Sequence, residues 1–108
     1  MTYEIYDRPA EVQADDLEIV TGALAIARAL RDDVVTVGST PFSCRAFVDG
    51  IAATIRVASR RINDPDAELA VWRFGAYVGE ASGRDEIDDL ICDYLTDAQQ
   101  IVEQGYGQ

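Results

Sequence analysis

The sequence predicts a mostly α-helical protein, a single domain of four helices, and three observations support this prediction. Apolar residues recur every three or four positions over four long segments. Two of these segments are preceded by a helix-start signal, in which an aspartate or a threonine stands directly before a proline. The chain has 108 residues, of which 48% are hydrophobic, and it contains no linker long enough to separate two domains. This length suits one compact domain with one core.

The first predicted helix begins at Ala14 or Asp15 and ends at about Arg31. Its apolar face is formed by Leu17, Val20, Leu24, Ala27 and Leu30. Acidic residues open it, as the helix dipole favours: Asp15, Asp16 and Glu18. The β-branched run that follows, 34–38, is either an extended connector or a strand. Paired with the alternating residues 2–6, it would form a small two-stranded β element beside the helices.

The second predicted helix has Thr40 as its N-cap and Pro41 at its first position, and it ends near Asn63. Its apolar face contains Cys44, Val48, Ile51, Ile55, Ala58 and Ile62. This is the clearest amphipathic helix in the sequence.

Asp64 and Pro65 predict the start of a third helix that ends near Gly79. The residues expected to face inward are Leu69, Trp72, Ala76 and either Val78 or Gly79. The sequence does not decide whether residues 67–78 are helix or strand, because the run 69–74 is short and apolar and would also suit a strand. Gly75 and Gly79 form a single small-residue spacing, which close packing explains better than ligand binding.

A fourth helix is predicted from about Arg84 to Gln104. Its apolar stripe consists of Ile87, Leu90, Ile91, Tyr94, Leu95, Ala98, Ile101 and Val102. Cys44 and Cys92 are each expected to pack on the apolar face of a helix as small hydrophobic residues. Their separation forms no metal-binding spacing, so neither a metal nor another cofactor is predicted.

The charge of the chain excludes several function classes. There are 20 acidic residues against 9 arginines, with no lysine and no histidine, and the formal net charge is −11. Such a surface repels nucleic acid and anionic membranes and favours basic protein partners. Without histidine the usual general base near neutral pH is missing, and no catalytic or phosphate-binding motif is present. We therefore expect a non-enzymatic, cytoplasmic protein with neither a leader peptide nor a membrane span.

A row of carboxylates on the fourth helix is the candidate partner-binding site, and we call it the acidic row. Its members are Asp85, Glu86, Asp89, Asp93 and Asp97. The four aspartates are spaced by four residues, so on a regular α-helix they rise by about 6 Å per step and span about 120° opposite the apolar stripe. Three like-charged i,i+4 pairs cost about 1 kcal/mol in all. The helix dipole offsets this cost only near the first turn.

Three interpretations of the acidic row remain open. It is a solvated face of a generally acidic protein, or it imitates the phosphates of a nucleic-acid backbone and binds a protein that binds nucleic acid. In the third interpretation it pairs with an arginine surface on another copy, forming a homodimer. The candidate surface lies on the second helix: Arg45, Arg56 and Arg60. Residues 41–62 carry four arginines and one aspartate, which leaves −14 on the rest of the chain.

The sequence thus favours an acidic binding protein, most concretely a nucleic-acid mimic that inhibits a basic nucleic-acid-binding protein. Phages use inhibitors of this physical type against host defence nucleases, including the anti-CRISPR type. The alternative is a homo-oligomeric accessory or structural protein from a halophilic or GC-rich organism, whose acidity serves only solvation. A third possibility is an enzyme that uses carboxylates whose pKa values are separated by burial.

Overall fold

The computed structural model describes residues 10–37, 41–81 and 83–105, and the side chains within 11–32, 46–81 and 83–104. The helices are α1 (Ala10–Val37), α2 (Pro41–Ser59), α3 (Pro65–Val78), α4 (Arg84–Leu90) and α5 (Thr96–Gly105). A π-helical segment, Ile91–Leu95, joins α4 to α5 without a break. Residues 84–105 therefore form one rod, which we call the C-terminal helix. Four helical rods and no strand within the described ranges confirm the mostly α prediction.

The helices pack as an antiparallel bundle in which neighbours in sequence are neighbours in space. Arg31, late in α1, contacts Asp88, early in the C-terminal helix, whereas Gln13, early in α1, contacts Val102, late in that helix. Helices α1 and α3 each pack against both α2 and the C-terminal helix. It follows that α2 and the C-terminal helix lie on opposite sides of the bundle.

One hydrophobic core joins the four rods. Phe74 is its largest fully buried side chain. The other fully enclosed large side chains include Leu24, Leu30, Ile55, Ile87, Leu95, Val20, Val71, Val78 and Val102. The apolar stripes predicted for α1, for the C-terminal helix and for the described part of α2 account for most of this core. Their three-to-four residue spacing keeps each stripe toward the bundle axis.

Helix α1 is longer than the sequence predicts, since it extends from Ala10 to Val37. The predicted strand or extended connector at 34–38 is therefore wrong for residues 34–37, which are helical. Residues 2–6 and 38 lie outside the described residues. β-branched residues cost less than about 0.7 kcal/mol each in a helix interior. Extending a helix that already exists adds a hydrogen bond per residue, whereas a new element must first be nucleated.

Helix α3 begins as predicted, and its helical state excludes the strand alternative. The Asp64 carboxylate accepts hydrogen bonds from the backbone N–H groups of Asp66 (2.9 Å) and Ala67 (3.1 Å), and Pro65 occupies the first turn. Val78 is buried as predicted, but the rest of the inward face differs, because Leu69 and Trp72 are 45% and 41% exposed. The buried residues are Ala67, Ala70, Val71, Phe74, Gly75 and Val78. Both faces of this helix are apolar, so periodicity alone could not select between them.

Helix α2 ends at Ser59, and Arg60 and Arg61 form a turn before α3. The predicted N-cap Thr40 and the side chain of Cys44 lie outside the described residues. The prediction that Cys92 packs inward is wrong, because its thiol is free and exposed. Ile91, one residue earlier, takes the core position instead and is 3% exposed.

Because Cys92 is exposed, we expect it to react with a water-soluble thiol reagent in the folded protein. Replacing it in Cys92→Ser should remove one rapidly reacting thiol, as counted by absorbance of the released aromatic thiolate. A wild-type protein whose Cys92 reacts only after unfolding would contradict the exposed position.

Candidate functional site

The π-helical segment straightens the acidic row. A π-helix has about 4.4 residues per turn, so each step turns the chain by about 82° instead of about 100°. On a regular α-helix the aspartates would rotate by about 120° around the helix axis from Asp85 to Asp97. The four steps through Ile91–Leu95 reduce this rotation by about 70°, so the aspartates span about 50°. The same segment keeps Ile87, Ile91 and Leu95 in line on the core side, where they are at most 3% exposed. The segment that places Ile91 and Leu95 in the core thus also brings the carboxylates on the opposite side closer to one line.

All members of the acidic row are exposed: Asp85, Glu86, Asp89, Asp93 and Asp97. In the described part of the chain, no hydrogen bond or ion pair engages the side chains of the four aspartates. Residues 84–105 carry seven acids and one arginine, a net charge of −6, which is the most negative of the four rods. The four aspartates of the row are therefore exposed charges without an ion-pair partner among the described residues, and they lie on one continuous helix.

An ion-pair network borders the acidic row on the α1 side. Arg31 donates to Asp88 at 2.7 Å and to Asp32 at 3.1 Å, while Arg84 lies 3.9 Å from Asp32. The Asp88 and Asp32 carboxylates raise the pKa of the Arg31 guanidinium above its usual value. Asp88, which flanks the row, is thus paired within the molecule, and this network links the start of the C-terminal helix to α1 through exposed ion pairs.

On its other side the acidic row meets α3 through an aromatic contact. The rings of Tyr77 and Tyr94 lie 5.7 Å apart between centroids at an interplanar angle of 43°. Such tilted pairs contribute about 0.5–1.5 kcal/mol beyond their buried area. Tyr77 is 45% exposed. A shallow pocket of about 340 Å³ beside it is lined by Tyr77, Glu80, Ala81, Glu86, Asp89 and Leu90.

The arginines predicted as a self-association surface have separate surroundings. Arg56 is half-buried, and its Nη1 donates to the Gly75 carbonyl at 3.0 Å. Arg60 is exposed beside Leu69 and Trp72 of α3. The side chain of Arg45 lies outside the described ones. All three belong to α2 or the turn after it, across the bundle from the acidic row.

Sequence reasoning missed the role of Asp16, which it assigned to the first turn of a helix. Because α1 begins earlier, Asp16 lies in its second turn, and its side chain is fully buried. The carboxylate accepts hydrogen bonds from the Asn63 backbone N–H (2.7 Å), Asn63 Nδ2 (3.0 Å) and the Asp64 backbone N–H (3.0 Å). It anchors the turn between α2 and α3 on α1. Only the buried position distinguishes it from its acidic neighbours.

Gly75 confirms the close-packing interpretation of the small-residue spacing. A Cβ atom built there would lie 2.7 Å from Arg56 Cγ, 3.1 Å from the Ala52 carbonyl oxygen and 3.2 Å from the Arg56 backbone nitrogen. Helices α2 and α3 therefore touch through backbone at this point. This contact sets their separation.

Among the described residues, no group of three potential ligands could hold a metal ion. No helix in that part of the chain is both long and apolar enough to cross a membrane. In comparisons with known proteins, the chain matches no family model, no curated protein and no solved structure.

Proposed function

We propose that this protein is a non-enzymatic binding protein whose acidic row contacts a basic protein surface. Its most concrete form is a nucleic-acid mimic that occupies the site of a nucleic-acid-binding protein, as phage anti-defence inhibitors of the anti-CRISPR type do. The observation that supports this most is the straightened row of exposed aspartates that have no partner in the described part of the chain.

The spacing of the row suits this role. Its carboxylates rise by about 6 Å per step where the helix is regular and by somewhat less through the π-helical segment, so the row covers at most about 18 Å of helix. Each strand of duplex DNA presents one charge per about 3.4 Å of axis, and because the strand also winds around that axis, neighbouring phosphates are about twice as far apart through space, close to one step of the row. A protein site lined with arginine and lysine could bind the phosphates of nucleic acid and the carboxylates of the acidic row with the same side chains.

The surroundings of the row also fit a basic partner. Tyr77 is exposed beside Glu86 and Asp89, and an aromatic face next to carboxylates favours a guanidinium group. The row lies on a helix fixed by the core and by the Arg31 network, so little ordering is required when a partner binds. Charges held on a rigid element also favour fast, salt-sensitive association.

The test is a pull-down from host lysate at about 0.1 M salt, where surface charges act over about 10 Å. Wild-type protein is compared with a row variant that carries Asp85→Asn, Asp89→Asn, Asp93→Asn and Asp97→Asn. We expect the wild type to capture a nucleic-acid-binding protein that excess DNA or RNA displaces, and the row variant to lose it. Since like-charge repulsion is relieved, the row variant should be more stable by up to about 1 kcal/mol.

A matched control removes the same amount of charge from other exposed positions. It carries Glu11→Gln, Asp49→Asn, Asp66→Asn and Glu103→Gln, all at exposed side chains. Glu103 is on the C-terminal helix but about 120° away from Asp97. The control should keep the partner. If all three proteins capture the partner equally, or both variants lose it equally, the partner does not bind specifically to the acidic row.

The homo-oligomeric alternative gives different results in the same series. If acidity serves only solvation, the free energy of unfolding should rise steeply in molar salt for wild type, row variant and control alike. No basic partner should then be captured at low salt. Unfolding curves by circular dichroism at about 0.1 M and in molar salt separate the two proposals.

A further inference from the structure

An open groove of about 470 Å³ runs between α1 and α2, away from the acidic row. Its lining consists of Asp15, Glu18, Ile19, Gly22, Ala23, Ile26, Thr54, Ile55, Ala58, Arg61 and Asn63. From Asp15 to Ile26 it follows α1 for about 16 Å, or about three helical turns. Ile26 is 40% exposed, so the groove presents apolar surface to solvent.

The absence of a side chain at Gly22 keeps the groove open. A Cβ atom built on Gly22 would have no atom within 4 Å, apart from the helix itself and its chain neighbours. Close helix packing therefore does not explain this glycine, in contrast to Gly75. Thr54 donates its hydroxyl to the Gly50 carbonyl at 2.9 Å, so its polar group is satisfied within α2.

Charge distinguishes the two ends of the groove. Asp15 and Glu18 lie on the α1 edge at one end, with Arg61 on the α2 side, whereas Ile26 and Thr54 at the other end carry no charge. The two acids outnumber the single arginine, and the whole chain has a net charge of −11. A ligand with an apolar middle and a basic end matches this pattern.

We infer that the α1–α2 groove binds an amphipathic helix of a partner protein, with apolar residues in the groove and basic residues beside Asp15 and Glu18. Three turns of groove accommodate anchors at positions i, i+3 or i+4, and i+7, the usual pattern of helix-in-groove recognition. This inference is independent of the acidic row, since it concerns a different face of the bundle.

The probe is a fluorescein-labelled helical peptide of about four turns, with leucines on one face and arginines at one end, followed by anisotropy. Gly22→Leu should fill the groove and weaken binding by about tenfold or more, whereas Gly50→Leu is the matched control. Gly50 is equally open but does not line the groove. Asp15→Asn combined with Glu18→Gln should weaken binding severalfold and reduce its salt dependence.

Several outcomes would overturn the inference. If a scrambled peptide of the same composition binds equally well, binding depends on the net charge of the peptide and not on its amphipathic pattern. Equal binding by Gly22→Leu and wild type, with both folded by circular dichroism, would place the peptide elsewhere. If sedimentation shows a wild-type dimer that Gly22→Leu converts to monomer, the groove binds a second copy instead. The row variant should bind the peptide within about threefold of wild type, so this test remains separate from that of the proposed function.

Discussion

Asp16→Ala should lower the free energy of unfolding by about 2–4 kcal/mol, the largest single-residue effect we expect. The substitution removes a fully buried carboxylate that accepts three hydrogen bonds, two of them from backbone N–H groups of Asn63 and Asp64. A hydrogen bond to a charged group contributes about 1.5–3 kcal/mol, and water offsets part of this loss because the donors of Asn63 and Asp64 are only part-buried. The turn between α2 and α3 would also lose its attachment to α1. Urea unfolding followed by circular dichroism measures the change.

Asp15→Ala is the matched control for this prediction, because Asp15 is the adjacent acid and is exposed. We expect a change within about 0.5 kcal/mol. Asp16→Asn should give an intermediate loss, since an amide keeps one acceptor oxygen but presents N–H donors where the second oxygen accepted a bond. A loss in Asp16→Ala no larger than that in Asp15→Ala would show that the anchor contributes nothing to stability.

Gly75→Ala should destabilise the fold by about 1–3 kcal/mol, although alanine is the better helix former. Its Cβ would lie 2.7 Å from Arg56 Cγ and 3.1 Å from the Ala52 carbonyl oxygen. The backbone oxygen cannot move aside without shifting α2, and displacement of Arg56 would weaken its 3.0 Å bond to the Gly75 carbonyl. Urea unfolding measures this change: the midpoint should fall, whereas the dependence of the free energy of unfolding on urea concentration should stay the same.

Gly50→Ala, the same substitution in α2, should change the stability of the fold in the opposite direction. A Cβ atom at Gly50 would have no atom within 4 Å, so only the helix preference operates and the fold should gain about 0.5–1 kcal/mol. Opposite signs at the two positions would confirm that backbone contact, not helix propensity, governs Gly75. Similar gains at both would mean that α2 and α3 can separate at little cost.

The sequence predicts the helices well because each carries its own periodic pattern and start signals. The Asp64–Pro65 start and the stripe from Ile87 to Val102 are local properties, and both are present in the structure. The error at Leu69 and Trp72 arises because α3 has two apolar faces, and only contact with α2 and the C-terminal helix decides which is buried. Local pattern cannot supply that information.

The candidate site was predictable in its composition but not in its shape. The four-residue repeat of aspartates is visible in the sequence, whereas the π-helical segment that straightens it, Ile91–Leu95, is not indicated by the spacing of its apolar residues. The α1–α2 groove was not predictable either, because it depends on the separation of two helices at Gly22. Asp16 was mistaken for a dipole-compensating acid because α1 begins at Ala10, before the start predicted at Ala14 or Asp15.

The placement of α2 opposite the C-terminal helix restricts the symmetry of any self-assembly through charge. A two-fold dimer would need the arginine-bearing and the aspartate-bearing sides on one interface, so that each copy could satisfy the other reciprocally. Here the arginine-bearing side of α2 and the aspartate-bearing side of the C-terminal helix face away from each other. When the arginines of one copy pair with the aspartates of another, the first copy still exposes its aspartates and the second still exposes its arginines. Contacts between Arg60 of one copy and the acidic row of the next would therefore be heterologous, building open-ended stacks or rings at low ionic strength rather than closed pairs.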